Sequence, residues 1–172
     1  SEPRRAFKKG QAARVSRNLS VGERLAAKPI VVDEKVAGNA CEVVEEIEER
    51  VAALENGRAA LATASGMSAQ ITGILAIVQP GQHIVASSQL YGGTYSQFDV
   101  ALRKMGIETS FVDSDAPENF RKALRDNTRL LYAETLGNPK INVLDIEPIA
   151  QIAHAAGIPL MIDNTMASPV LT

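Results

Sequence analysis

From about residue 80 onward, short apolar runs alternate with helical stretches, and this grammar restricts the fold more than any other property of the chain. Ile84 to Ala86, Thr109 to Val112, Leu130 to Ala133 and Leu160 to Ile162 are nearly continuous in apolar residues, as strands buried on both faces are. Around them, Met67 to Val78, Tyr95 to Met105, Pro117 to Leu124 and Ile146 to Ala156 read as helices. Pro80-Gly81 precedes the first strand, Gly106 closes a helix, and Gly157 with Pro159 separates the last helix from the last strand. Asp115 or Ala116 is the expected cap of the Pro117 helix, and Asp145 that of the Ile146 helix. Strands joined by helices of this length need right-handed crossovers, which keep the strands parallel and cover the sheet on both sides. The expected fold class is α/β, a mostly parallel sheet with helices on both faces.

Before this alternation, Val43, Val44, Ile47, Val51 and Leu54 recur at spacings of three and four, which predicts an amphipathic helix over Cys41 to Leu54 ended by Asn56-Gly57. Residues 1 to 40 are different. Arg4, Arg5, Lys8, Lys9, Arg14, Arg17 and Arg24 face only Glu2 and Glu23 in the first two dozen positions, which reads as a solvated basic leader, with a transit segment as the weaker alternative. The organisation expected is thus a leader over 1–40 and an α/β domain over 41–172, the regular alternation starting near Gly57.

Composition narrows the function classes. A net charge of -2 gives no general attraction to nucleic acid or anionic membranes. One cysteine, Cys41, and two histidines, His83 and His154, are too few for a disulfide framework or a Cys/His zinc site, so no metal is expected and a reducing, cytoplasmic setting is. Apolar runs such as Ile71 to Val78 fall far short of the roughly 20 residues of a membrane helix.

In parallel sheets ligands bind beyond the carboxyl ends of the strands. Ala64-Ser65-Gly66-Met67 is a small-residue turn opening an apolar helix, offering backbone N–H groups, a hydroxyl and a positive helix end to a phosphate, or serving only as a cap. Tyr91-Gly92-Gly93-Thr94, beyond the Ile84 strand, joins paired glycines to a tyrosine able to stack on a flat ring, or forms a plain tight turn. Glu134-Thr135-Leu136-Gly137-Asn138-Pro139 delivers a carboxylate and a carboxamide at the end of the Leu130 strand, where turn formation explains them equally well. Asp163-Asn164-Thr165 sets a carboxylate at the end of a buried strand. That is expensive without a cation or strong donors, and a magnesium ion, a helix cap or a protonated pyridine nitrogen would each satisfy it.

These motifs, in this order, resemble the Cys/Met-metabolism group of fold-type I enzymes, which depend on pyridoxal 5'-phosphate (PLP), over about Val51 to Thr172. The resemblance implies part of the large, aspartate-aminotransferase-like PLP-binding domain. It implies that Ser65, Gly66 and Met67 hold the phosphate, Tyr91 stacks on the ring, Asn138 bonds the ring hydroxyl oxygen, Asp163 pairs with the ring nitrogen, and Thr165 and Glu134 support them. The wording of the Glu134 to Pro139 segment resembles the O-acetylhomoserine sulfhydrylase subgroup, implying γ-replacement of acetate by sulfide or a thiol and a homotetramer. Methionine γ-lyase shares the same named residues, and the alternatives are a γ-lyase, a cystathionine γ-synthase type or a non-catalytic binding or assembly module. In the family a Ser-x-Thr-Lys segment with the Schiff-base lysine follows the aspartate, and Thr172 comes before it, so a fragment with no catalytic residue of its own is expected. Lys8, Lys9, Lys35, Lys104, Lys122 and Lys140 read as surface charges. A nucleotide-binding domain is disfavoured, because Gly-x-Gly-x-x-Gly and Walker-type turns are missing.

Overall fold

The computed structural model describes residues 40–168. The expectations for the basic leader therefore fall outside the described residues, apart from Ala40. Helix α1, Ala40–Leu54, is the expected amphipathic helix. It stops where the sequence places its end: Asn56 turns left-handed at φ 52°, and the Gly57 N–H donates to the Ala52 carbonyl at 2.8 Å. This helix belongs to one compact unit, Ser1–Leu61, and everything below to a second, Ala62–Thr172.

The second unit runs α2 (Gly66–Ile77), β1 (His83–Ser87), α3 (Gly92–Ser96), a π-helical stretch over Gln97–Leu102, β2 (Glu108–Val112), α4 (Glu118–Ala123), β3 (Thr128–Glu134), α5 (Ile146–Ala155) and β4 (Leu160–Asp163). The four strands form one parallel sheet in the order β2-β1-β3-β4. From β1 the chain moves outward to β2, then returns past β1 to β3 and continues outward to β4. The direction of winding thus reverses between β1 and β3, and the loops leaving their carboxyl ends diverge there, opening a crevice.

Alternation along the strands builds two cores. Ile84, Ala86, Leu130 and Tyr132 face Ile74 of α2, Val78 just after it, and Phe98 and Leu102 of the π-helical stretch. On the opposite side, Val85, Leu131 and Ala133 meet Phe120 of α4 and Ile149, Ile152 and Ala153 of α5. Helices do cover both faces, as expected. The central strands are the ones buried throughout, all of β1 and all of β3 but Arg129. The outer strands β2 and β4 are only partly buried, because each lacks a neighbour on one side among the described residues. Gly106 at φ 78° and Gly157 at φ 68° end their helices in the left-handed region that favours glycine.

Three local expectations need correction. The helix expected from Tyr95 begins at Gly92, since Tyr91 (φ -53°, ψ 138°) is extended and the residues after it are already helical; its second half is π-helical. Pro117, itself helical in backbone, precedes α4, and neither Asp115 nor Ala116 caps it. The Asp115 carboxylate instead accepts from Asn142 Nδ2 at 2.8 Å. Asp145 occupies the N-cap position of α5 but makes no side-chain cap bond.

At the amino end of the sheet, away from the crevice, His83 is fully buried between Thr128 Oγ1 and Ser110 Oγ, each 2.9 Å from a ring nitrogen. Burial, and then the charge of Arg125, push its pKa below the ordinary 6.5, while Glu108 pulls the other way. The folded protein therefore binds this proton more weakly than the unfolded chain does. The contribution is complete above pH 6.5 and is lost as the pH falls through that value toward the lowered one. Urea midpoints should drop over this interval and drop less steeply in His83→Gln; equal slopes would remove His83 from the account.

Candidate cofactor site at the strand ends

The first turn of α2 is set by Ser65. Its extended backbone and its side chain place it at the N-cap, where Oγ accepts from the Ser68 N–H at 3.1 Å and lies 2.9 Å from Ser68 Oγ. Thr63 Oγ1 donates to the Ser65 carbonyl at 2.9 Å and steadies the approach. The N–H groups of Gly66 and Met67 lack intrahelical partners by the geometry of a helix start, and they lie at the positive end of the dipole. A Cβ added to Gly66 would meet nothing within 4 Å, so the space before the turn is open.

Tyr91 follows β1. Its N–H donates to Glu134 Oε1 at 2.8 Å, while its ring is 57% exposed. A Cβ on Gly93 would lie 2.5 Å from Tyr91 Cε1, so the ring lies across the start of α3 in room that glycine provides. Glu134 ends β3 and is buried. Burial raises its pKa above the ordinary carboxyl value; the Tyr91 N–H opposes this and the charge of Asp163 adds to it.

Beyond Glu134 the loop is tied from several sides. The Thr135 N–H donates to the Asp163 carbonyl at 3.1 Å, the Gly137 N–H to the Asn142 carbonyl at 2.9 Å, and the Asn138 N–H to the Gln89 carbonyl at 3.3 Å. The Asn138-Pro139 peptide is cis, and the Asn138 side chain is exposed. Gln89, buried, accepts from Asn142 Nδ2 and from Ser114 Oγ, and donates to Asp113 Oδ1 at 3.1 Å. This polar knot holds the loop that carries Asn138.

Asp163 is the last residue of β4 rather than the first of the following loop. Alternation puts it on the same side as Met161, toward α2. There Gln70 Nε2 donates to Oδ2 at 2.6 Å, with the Tyr132 hydroxyl 3.5 Å from the same oxygen. Oδ1 accepts from the Thr165 N–H at 2.9 Å and from the Thr165 hydroxyl. Among the described residues, every one of these donors is neutral. Burial, then the charges of Asp163 and Glu134, push the Tyr132 phenol far above its usual range, so it stays a neutral donor.

The structure brings the segments of Tyr91, Glu134 and Asp163 together directly and links the Ser65 turn to them through α2. Thr165 folds back on Asp163. Among the described residues no side-chain hydrogen bond joins Ser65 or Asn138 to this network; they stand at its ends. The reading from sequence missed Gln70 and Tyr132. The available signal for Gln70 was a glutamine in line with Ile74 and next to Ile71 on the buried side of an apolar helix. Tyr132 lies within an apolar strand, and nothing in the sequence told its hydroxyl from packing.

Among the described residues no group of three or more His, Cys, Asp or Glu could hold a metal ion, and no helix is long and apolar enough to cross a membrane. The geometry suits PLP: an open turn for a phosphate, an exposed ring for stacking, and a half-buried carboxylate that no cationic side chain among the described residues pairs with. Comparison with known proteins agrees. The chain is 59% identical over 125 residues, 73% of its length, to O-acetyl-L-homoserine sulfhydrylase of Leptospira meyeri, and 50% identical over 122 residues, 71% of its length, to homocysteine/cysteine synthase of Saccharomyces cerevisiae. It spans 28% of the length of each of these relatives. O-acetylhomoserine sulfhydrylase of Wolinella succinogenes superposes with a TM-score of 0.70 at 39% identity, covering 73% of this chain and 36% of that one. A Campylobacter jejuni protein assigned as an O-acetylhomoserine (thiol)-lyase, which carries pyridoxyl-lysine phosphate, gives 0.71 at 33% identity, covering 73% and 31%. The family model described as Cys/Met metabolism PLP-dependent enzyme matches residues 38–172, so the likeness starts before Val51 and takes in α1. With that model spanning most of the chain and every strand-end motif inside it, the chain belongs to the Cys/Met metabolism family of PLP-dependent enzymes.

Proposed function

We propose that these residues form the cofactor-holding part of an enzyme that replaces the acetate of O-acetylhomoserine with sulfide or a thiol, releasing acetate and giving homocysteine or, from methanethiol, methionine. The observation that carries the reading is Asp163: a partly buried carboxylate at a strand end, held by neutral donors, on the same side of the sheet as the buried Glu134. Two carboxyl groups gathered with no basic side chain bonded to them among the described residues make a place for a cation. Bound PLP supplies an electron-accepting ring, which accepts best when its nitrogen stays protonated beside a carboxylate.

In this reading each residue has a definite task. Gly66 and Met67 offer their N–H groups, and Ser65 its hydroxyl, to the phosphate. Tyr91 covers one face of the ring, and Glu134 holds Tyr91 through its backbone N–H. Asn138 reaches the ring hydroxyl oxygen from the loop fixed by Gln89. Asp163 takes the ring N–H, and Thr165 fixes the carboxylate that does so. Relatives that carry the names sulfhydrylase and homocysteine/cysteine synthase support the choice of substrate and of sulfide as acceptor. We also place the protein in the cytoplasm as a homo-oligomer, a tetramer by family resemblance.

The test is an assay of the protein expressed from its complete coding region, with O-acetylhomoserine and sulfide, reading homocysteine and acetate by mass spectrometry. Equal yields of both support the proposal, and acetate accompanied by an oxoacid and ammonia in place of homocysteine would point to a lyase instead. Asp163→Ala should lower turnover by about 10²–10³-fold, as loss of one preorganised electrostatic group does, while leaving phosphate anchoring nearly intact. Near-normal turnover would end the ring-nitrogen role.

A second expectation concerns Tyr91. Stacking is worth about 0.5–1.5 kcal/mol, so Tyr91→Ala should weaken PLP binding by roughly two- to tenfold, whereas Tyr91→Phe should bind within about twofold of the parent. Equilibrium titration followed by fluorescence decides this, and a similar loss in both variants would point to the hydroxyl instead.

A further inference from the structure

Gln70 lies on α2 one turn beyond the Ser65 turn, and it is buried. Its amide faces two partners from distant parts of the chain. Nε2 donates to Asp163 Oδ2 at 2.6 Å and reaches Thr94 Oγ1 at 3.2 Å, and the Thr94 hydroxyl lies 3.3 Å from Oε1. Thr94 is itself fully buried in the first turn of α3, three residues after Tyr91. An ionised carboxylate only accepts, so the NH₂ end of the amide must face Asp163 and the carbonyl end is left for Thr94. The orientation of Gln70 is therefore set by its neighbours.

We propose that Gln70 is a positioning residue, fixing the plane of the Asp163 carboxylate and tying it through Thr94 to the turn that carries Tyr91. This deepens the reading of Asp163 as the ring-nitrogen partner and rests on it. The carboxylate torsion of aspartate is broad when nothing holds it. Here Thr165 grips Oδ1 from the chain that follows β4, and Gln70 grips Oδ2 from α2. Without Gln70 the second oxygen keeps, among the described residues, only the Tyr132 hydroxyl at 3.5 Å. A lysine or arginine at this position would also hold the carboxylate, but it would supply the positive charge that a ring nitrogen must bring. A neutral amide holds the group and leaves its charge uncompensated.

The experiment uses protein expressed from its complete coding region and stripped of cofactor. It compares binding of PLP with binding of its 1-deaza analogue, in which C–H replaces the ring nitrogen. Gln70→Met is close in volume and removes both amide groups. It should weaken PLP binding about tenfold, the lower end for a lost hydrogen bond to a charged group, and change analogue binding by less than about twofold. Retained analogue binding also shows that the variant is folded. Equal losses for both ligands, or no loss for either, overturn the proposal. Asp163→Asn runs in the same series. If it separates the two ligands and Gln70→Met does not, Gln70 has no positioning role and Asp163 keeps its own. If Asp163→Asn fails to separate them, the ring-nitrogen reading falls and the role of Gln70 falls with it.

Discussion

Parallel pairing of β1 with β3 is the constraint on which the described α/β unit depends. The chain leaves β1 in one direction and β3 in the other, and the loops after these strands meet only through polar contacts, the Tyr91 N–H on Glu134 and the Asn138 N–H on the Gln89 carbonyl. That end of the sheet is where polar groups are tolerated. Within the central strands both faces are covered, and the buried residues are apolar except at the ends. His83 and Thr128 mark the amino end, while Ser87 and Glu134 mark the carboxyl end. The first pair satisfy each other by a hydrogen bond. At the other end the satisfied groups extend outward into loops, which is the arrangement a ligand needs.

Charge distinguishes the two ends further. Around His83 the charges alternate in sign, with Arg125 bonded to Glu108 at 2.8 Å and to Ser110 Oγ at 3.1 Å. Around Asp163 and Glu134 the partners are two backbone N–H groups, an amide and hydroxyls. Neutral hydrogen bonds can stabilise a partly buried carboxylate, yet they leave the negative potential in place, and the raised pKa of Glu134 is partly its expression. A structural ion pair would have cancelled that potential. Its persistence is what a cationic group of a ligand would need in the proposed site.

Much of this was legible in the sequence. Continuous apolar runs gave the strands to within two residues, because strands covered by helices on both sides leave few polar positions to confuse the pattern. Asp163 stood out for a related reason: it ends an apolar run, where the cost of a carboxylate demands an explanation, while Tyr91 and Glu134 stood out by their places just beyond strands. What escaped is what depends on contacts between distant segments. Gln70 meets Asp163 across 93 positions of sequence, and Thr94 across 24, so neither pairing leaves a local trace. The early start of α3 escaped because paired glycines read as a turn, although Tyr91 packed over Gly93 makes the same residues a helix start. Asp115 looked like a cap by its place before Pro117, but Asn142 draws its carboxylate toward the Asn138 loop.

The hydrogen bond from Tyr91 to Glu134 gives the proposed site a way to tighten as it fills. Glu134 is held above its ordinary pKa by burial and by the charge of Asp163, while the Tyr91 N–H favours its ionised form. A cation brought beside Asp163 would offset that repulsion and favour the ionised form further. An ionised acceptor makes a stronger bond to a backbone N–H than a protonated one. The N–H concerned belongs to the residue whose ring would stack on the incoming group, so charge pairing at one edge would firm the contact on its face. Gln70 and Thr94 connect the same two places through side chains. The carboxylate and the tyrosine turn are thus joined twice, once through Glu134 and once through α2, and neither link contains a positive charge that would compete with the ligand.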